Sequence, residues 1–204
     1  MALDQTRLDA LWDFADAAAS ETRLREAAAS APDADDRAEL ATQVARALGL
    51  QDSFAEGDRV LDGIVSDAAV VRVRVALERG RLRNSEGEPS AAVPFFAAAA
   101  EAAASADLLF LRIDALHMLA IADAAHSADW TTEALALLES TDDPRTRQWA
   151  VGLHSNAGWT SLEEGRIDDA LAAFERSRAA AERWGTAQQV AWADEAIAEA
   201  RAAR

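Results

Sequence analysis

The chain has 204 residues, half of them hydrophobic and many of these alanine, with a formal net charge of −16 at pH 7. It contains no Cys, Lys or Tyr, which excludes disulfides, thiolate chemistry and lysine Schiff bases. The excess of acid argues against a nucleic-acid backbone or an anionic membrane as main partner, because both need a cationic face.

Only four Pro and nine Gly interrupt the chain, so composition favours continuous, closely spaced helices. The opening residues carry no basic segment followed by an apolar block, so a signal peptide is not expected. The longest apolar run, 91–100, is interrupted by Pro94 and ended by Glu101, too short to span a bilayer. A cytoplasmic protein is the expectation.

In chain order, Leu8, Leu11, Trp12 and Ala15 give residues 4–17 a helical spacing, and Ser20 is expected to cap a second short helix to about Ala29. Pro32 and the acidic stretch 33–36 read as a loop. From Ala38 a two-helix pattern recurs. Residues 158–178 break at Gly165 into two apolar-periodic halves, with Ala170 and Phe174 four apart on one face. Gly80, Gly87, Ala92 and Phe96 repeat the spacing of Gly158, Gly165, Ala170 and Phe174 residue for residue. The small residues fall where two helices would cross closely, beside the phenylalanine.

A weaker copy has Ala45 at the small position and Leu61 in place of the aromatic, with Ser53 and Glu56 forming an expected capping box. Another has Ala122, Asp129, Ala134 and Leu138, with its turn expected near Asp129. Pro89 suits the first turn of a helix, whereas Pro94 removes one backbone bond inside it. The longer middle interval predicts extended helices around 104–125. After Gly185, Thr186 and Gln189 form a second capping box that opens a last helix to about Ala203, with Trp192 and Ile197 available to cover the end.

These residues resemble the tetratricopeptide repeat, whose pattern is W-x2-L-G-x2-Y, then A-x3-F, then P, over about 34 residues. The chain is similar to small stand-alone bacterial-type members of that superfamily. The resemblance implies an all-α fold: a right-handed α-solenoid of about four helix pairs over 38–184, with units starting near 38, 73, 115 and 151. Capping helices would occupy 1–37 and 185–204. The departures are His154 and Ala76, where a large aromatic is expected, and the absent terminal Pro in the second and fourth units.

In that superfamily the ligand lies in a concave groove lined by the first helix of each pair. The matching positions here include Arg46, then Arg74, Arg81 and Asn84, then Asp123, then Trp159 with Asn156 and Glu163 beside it. Arg74 and Arg81 stand two turns apart on one helix face, and with Arg46 they could grip a carboxylate. Alternatively they pair with Glu39, Glu78 and other local acids. The resulting expectation is a non-enzymatic interaction module that holds a peptide or partner helix, acidic in character.

Two alternatives stand beside it. One is a small-molecule or enzymatic site around His117, Asn156 and Trp159, with Asp114 placed to orient His117. The other is a structural homodimer joined through an apolar end helix. No H-x3-H or H-E-x-x-H spacing occurs, so neither a metal site nor a cofactor is expected, and no nucleophile motif accompanies the histidines. Trp130, Trp149, Trp184 and Trp192 are expected to fill seams between helices, His154 to be a partly buried core residue, and Trp159 to face the groove. Circular dichroism should read strongly helical with essentially no sheet; β-structure within 38–184 would overturn the repeat.

Overall fold

The structure, a computed structural model, describes residue 3 and residues 5–204. It is all-α, with no strand among the described residues. The helices in chain order are α1 (Gln5–Asp9), α2 (Ala17–Ser30), α3 (Ala34–Gly49), α4 (Phe54–Asp62), α5 (Ala69–Ser85), α6 (Pro89–Ser105) and α7 (Leu109–Ala122). A 3-10 turn at Ala124–His126 follows, then α8 (Ser127–Leu138), α9 (Pro144–Arg147), α10 (Trp149–Glu163), α11 (Ile167–Trp184) and α12 (Ala187–Ala202). The chain divides into two compact units, Met1–Ala115 and Leu116–Arg204, the division falling within α7. Among the described residues no helix is long and apolar enough to cross a membrane.

In the first unit α3 packs against α2, α4 and α5, and α5 packs against α6. In the second, α10 packs against α8 and α11, and α12 lies on α11. The tightest seams are set by glycine. A Cβ built on Gly80 of α5 would lie 2.4 Å from the ring of Phe96 on α6, and one on Gly158 of α10 would lie 2.4 Å from the ring of Phe174 on α11. Both rings are fully buried, as are Ala92 and Ala170 one turn before them. Leu61 and Leu138, at the corresponding places of the weaker copies, are buried too. The small-plus-aromatic register read from the sequence is therefore the register of packing.

Helix ends follow a shared device. Gly87 (φ 84°) and Gly165 (φ 75°) are left-handed. Around Gly87, Glu88 N–H donates to Arg83 O at 3.0 Å and Gly87 N–H to Asn84 O at 3.1 Å; around Gly165, Arg166 N–H donates to Ser161 O at 2.8 Å and Gly165 N–H to Leu162 O at 3.0 Å. This crossed pair closes a helix by satisfying its last carbonyls. Asp52 (φ 57°) and Asp107 (φ 55°) take the same conformation, with Ser53 N–H bonded to Leu48 O and Leu108 N–H to Ala103 O at 2.9 Å each. Aspartate tolerates this region better than most side chains. The turn at Asp107 divides what the long middle interval predicted to be extended helix.

Other boundaries differ from the expectations for identifiable reasons. The turn after α7 falls at Asp123, and Asp129 lies in the first turn of α8. The first helix ends at Asp9, and α2 is capped by Asp16, whose carboxylate accepts from Ala19 N–H at 2.9 Å. Ser20 sits buried inside α2, its hydroxyl bonded to Asp13 O and Asp16 O at 2.9 and 3.0 Å. The acidic stretch after Pro32 starts α3: the Asp33 carboxylate accepts from the N–H groups of Asp35 and Asp36 at 2.8 and 3.1 Å. Three aspartates within four residues read as loop, yet acid suits the first turn of a helix.

Ser53 precedes α4 without making a side-chain cap bond, and the Glu56 side chain pairs with Arg25, so the expected capping box is not formed. At α12 both halves of the Thr186 and Gln189 capping box are present. Ala193, Ala196, Ile197 and Ala200 supply the covering face of that helix, and Trp192 is 59 % exposed, contrary to the seam-filling place expected of it.

Phe96→Ala and Phe174→Ala should each cost about 3–5 kcal/mol in urea unfolding. Gly80→Ala and Gly158→Ala should also destabilise, although alanine is favoured over glycine in a helix by about 1 kcal/mol, because each methyl group would enter a buried ring. A gain in stability for either glycine variant would refute the contact.

Candidate functional site

The first unit gathers charge where helices rich in small residues would otherwise bury only apolar atoms. Arg74, Glu78 and Arg81 recur on one face of α5, and Arg74 is 5 % and Glu78 1 % exposed. Arg74 Nε donates to Glu39 Oε1 on α3 at 2.8 Å, and its Nη2 donates to Gln5 Oε1 on α1 at 2.7 Å. Arg81 Nη1 donates to Glu78 Oε1 at 2.5 Å, and its Nη2 donates to Asp114 Oδ1 on α7. Burial by itself would make the Arg81 guanidinium easier to deprotonate, but the charges of Asp114 and Glu78 outweigh it and hold its pKa above the ordinary value. Two of the three arginines in the anticipated row are thus already engaged by carboxylates.

Arg46 is the exception. It lies in the last turn of α3, half-buried, and donates no hydrogen bond among the described residues. Its guanidinium carbon is 5.5 Å from the ring centre of Trp12 and 5.3 Å from that of Phe14. Those rings stack on each other at 4.9 Å with 5° between their planes. Trp12 is held by its indole N–H, which donates to Gln43 Oε1 at 3.3 Å, and Gln43 is buried on α3. Burial, then the neighbouring Arg81, pulls the Arg46 pKa down to about 10, while Glu78 and Asp114 oppose the fall. Cation–π contact stabilises such a cation without using its N–H groups. Sequence reasoning placed Trp12 only on a helix face and did not mark Trp12, Phe14 or Gln43 as site residues; the W-x-F spacing beside a turn was the available signal.

Asn84, near the end of α5, is half-buried, and its carbonyl oxygen belongs to the helix-closing turn at Gly87. In the second unit, Asp123 serves the connection from α7 to α8. Its carboxylate accepts from Trp130 Nε1 at 3.1 Å and faces His126 Nδ1 at 3.0 Å. The Trp130 bond, then His126, holds this carboxyl below the usual range.

Asn156 and Trp159 are half-buried on α10, and Glu163 is exposed at its end. The Trp159 ring meets Phe174 edge-on at 5.0 Å and 66° and packs on the cluster of Ala170, Phe174 and Ile197. His117 is half-buried on α7, its ring 5.2 Å from that of Trp149, and it faces Gly152, where a Cβ would come within 3.4 Å. Asp114, three residues earlier on α7, takes Arg81. Among the described residues no group of three or more His, Cys, Asp or Glu side chains is placed to share a metal ion.

His154, also on α10, is partly buried as expected, and burial followed by the charge of Arg176 lowers its pKa from the usual histidine value. Its folded pKa lies below the unfolded one, so its contribution to stability is complete above the ordinary histidine value and is lost as pH falls from there through the lowered folded value. NMR titration should place His154 below about 6.5, and Arg176→Gln should raise it; an unshifted His154 would contradict its burial. Arg81→Gln, which leaves Glu78 and Asp114 buried without their shared cation, should cost about 3–5 kcal/mol in denaturant unfolding. A loss near zero would show that water reaches the pair.

No family model matches the chain, and no curated protein matches it in sequence. Among solved structures it is similar to the crystal structure of BtubC (BKLC) from P. vanneervenii, with a TM-score of 0.69, 15 % identity, and coverage of 96 % of this chain and 84 % of that one. At that identity the likeness is one of fold alone.

Proposed function

We propose that the chain is a tetratricopeptide-like right-handed solenoid of about four helix pairs, acting as a non-enzymatic module that holds a peptide or partner helix. The repeat part of this reading is supported by Gly80 on Phe96 and Gly158 on Phe174, the same contact at the same separation in two helix pairs. The crossed turns at Asp52, Gly87 and Gly165, each between the helices of a pair, also support it.

The binding part rests on one observation: a charged network spans α3, α5 and α7 with Arg74, Glu78 and Asp114 all nearly sealed from solvent. Buried ion pairs contribute little net stability compared with apolar residues of the same size. They do fix the helices that carry them in place, and a rigid helix face receives a partner with little ordering cost. The face we assign to the partner is that of α3 and α5, including Arg46 and Asn84. A partner in the cytoplasm, protein rather than nucleic acid or membrane, fits the acidic charge.

A display selection of random peptides on the purified protein, followed by anisotropy titration, tests this. Selected peptides should bind saturably, and Asn84→Arg on α5 should weaken them at least tenfold without lowering the melting temperature. Failure to obtain any saturable peptide would overturn the interaction reading.

A further inference from the structure

We infer that Arg46, held beside the stacked rings of Trp12 and Phe14, is a receptor for a single carboxylate of an acidic peptide. The inference rests on the interaction reading above and names the chemistry of its ligand. Of the three arginines Arg46, Arg74 and Arg81, two spend their guanidinium groups on Glu39, Gln5, Glu78 and Asp114. Arg46 has five N–H donors and gives none of them to a described residue. It is half-buried, so water satisfies those donors less completely than it would at an exposed site, and an anion that replaced that water would meet a partly desolvated cation.

The site is preorganised. The Gln43 bond fixes the Trp12 ring, Trp12 stacks Phe14, and the two rings hold the guanidinium. Phe14 is 64 % exposed and offers an apolar surface to whatever chain carries the acid. These aromatics come from the segment between α1 and α2, not from the repeating helix pairs.

Charge and shape select the ligand. Glu78 and Asp114 are close enough to act on Arg46 electrostatically, so a phosphate dianion would meet their repulsion. A planar monoanion matches the guanidinium fork and is repelled less. Acids farther off than the Debye length, about 8 Å at physiological ionic strength, are largely screened. Glu78 Oε2 is buried without a hydrogen-bond partner.

The test follows the Trp12 indole N–H and the Arg46 Nε–H by NMR during titration of the full chain. The probes are N-acetyl-glutamate amide, its glutamine counterpart, and inorganic phosphate. The glutamate compound should shift both signals saturably, phosphate should act more weakly, and the neutral compound should leave them unchanged. Arg46→Gln should weaken binding at least tenfold, whereas Arg46→Lys, which keeps the charge and loses the fork, should weaken it several-fold. Phe14→Ala, at an exposed position, gives a variant whose folding is not at stake and should weaken binding of a C-terminally amidated acidic peptide more than of the small acid. An unamidated peptide without acidic side chains separates a terminal carboxylate from a side-chain one.

Equal responses to the acid and its amide, a stronger response to phosphate, or a response that survives Arg46→Gln would each overturn the inference. An Arg46 signal that ignores every probe would also overturn it. If selected peptides bind without regard to acid or to Arg46, this inference falls and the interaction reading stands. If the small acid binds Arg46 and no peptide binds the protein, the interaction reading falls.

Discussion

The buried ring pressed against a bare glycine backbone is the contact on which the rest of the structure depends. At Gly80 and Gly158 the neighbouring Phe ring occupies the space a Cβ would need, so the two helices cross at a distance no other residue permits. Helices that close must be lined by small side chains along the rest of the seam. Ala92, Ala99 and Ala103 on α6 and Ala170, Ala173 and Ala181 on α11 are accordingly buried. Ser177 joins them because its hydroxyl donates to Val151 O at 2.9 Å across the seam. The high alanine content is thus a packing requirement, and dispersion from close backbone approach substitutes for the area that larger side chains would bury.

Close, alanine-lined helices bury little apolar area per residue, and this frames the role of the charged network in the first unit. Ion pairs that are nearly sealed carry a desolvation penalty that their attraction only roughly offsets. Arg74 with Glu39 and Arg81 with Glu78 and Asp114 satisfy that condition by short, charge-assisted bonds. They hold α3, α5 and α7 in register through directed contacts, and they surround a cation whose own donors are left over. The candidate site is the remainder of a structural network.

The second unit uses its polar residues differently. Asp123 ties a connection through Trp130 and His126, the pKa of His154 is lowered by burial and Arg176, and His117 lies against Trp149. Trp159, with the edge of its ring on Phe174, is committed to the core cluster beneath α12. Each of these residues performs a local packing or capping task.

By itself the sequence determined what depends on local chemistry and fixed spacing. The all-α class, the glycine-plus-phenylalanine register, the turns at Gly87 and Gly165 and the Thr186 capping box are all legible, because backbone freedom and helical period are properties of a residue and its near neighbours. Only the tertiary structure decided which acid meets which arginine. Gln5 and Arg74 are brought together from distant points of the chain, as are Arg81 and Asp114, and no spacing rule encodes such meetings. For the same reason the aromatic seat of Arg46 was invisible: Trp12 reads as one more apolar position of a helix that in fact ends at Asp9. The sequence offered Arg46, Arg74 and Arg81 either as a carboxylate grip or as partners of Glu39, Glu78 and other local acids, and packing gave Arg74 to Glu39 and Arg81 to Glu78 while leaving Arg46 over. Folding chose between those readings, because an arginine's chemistry is set by whichever carboxylates local spacing and the packing of other helices bring to it.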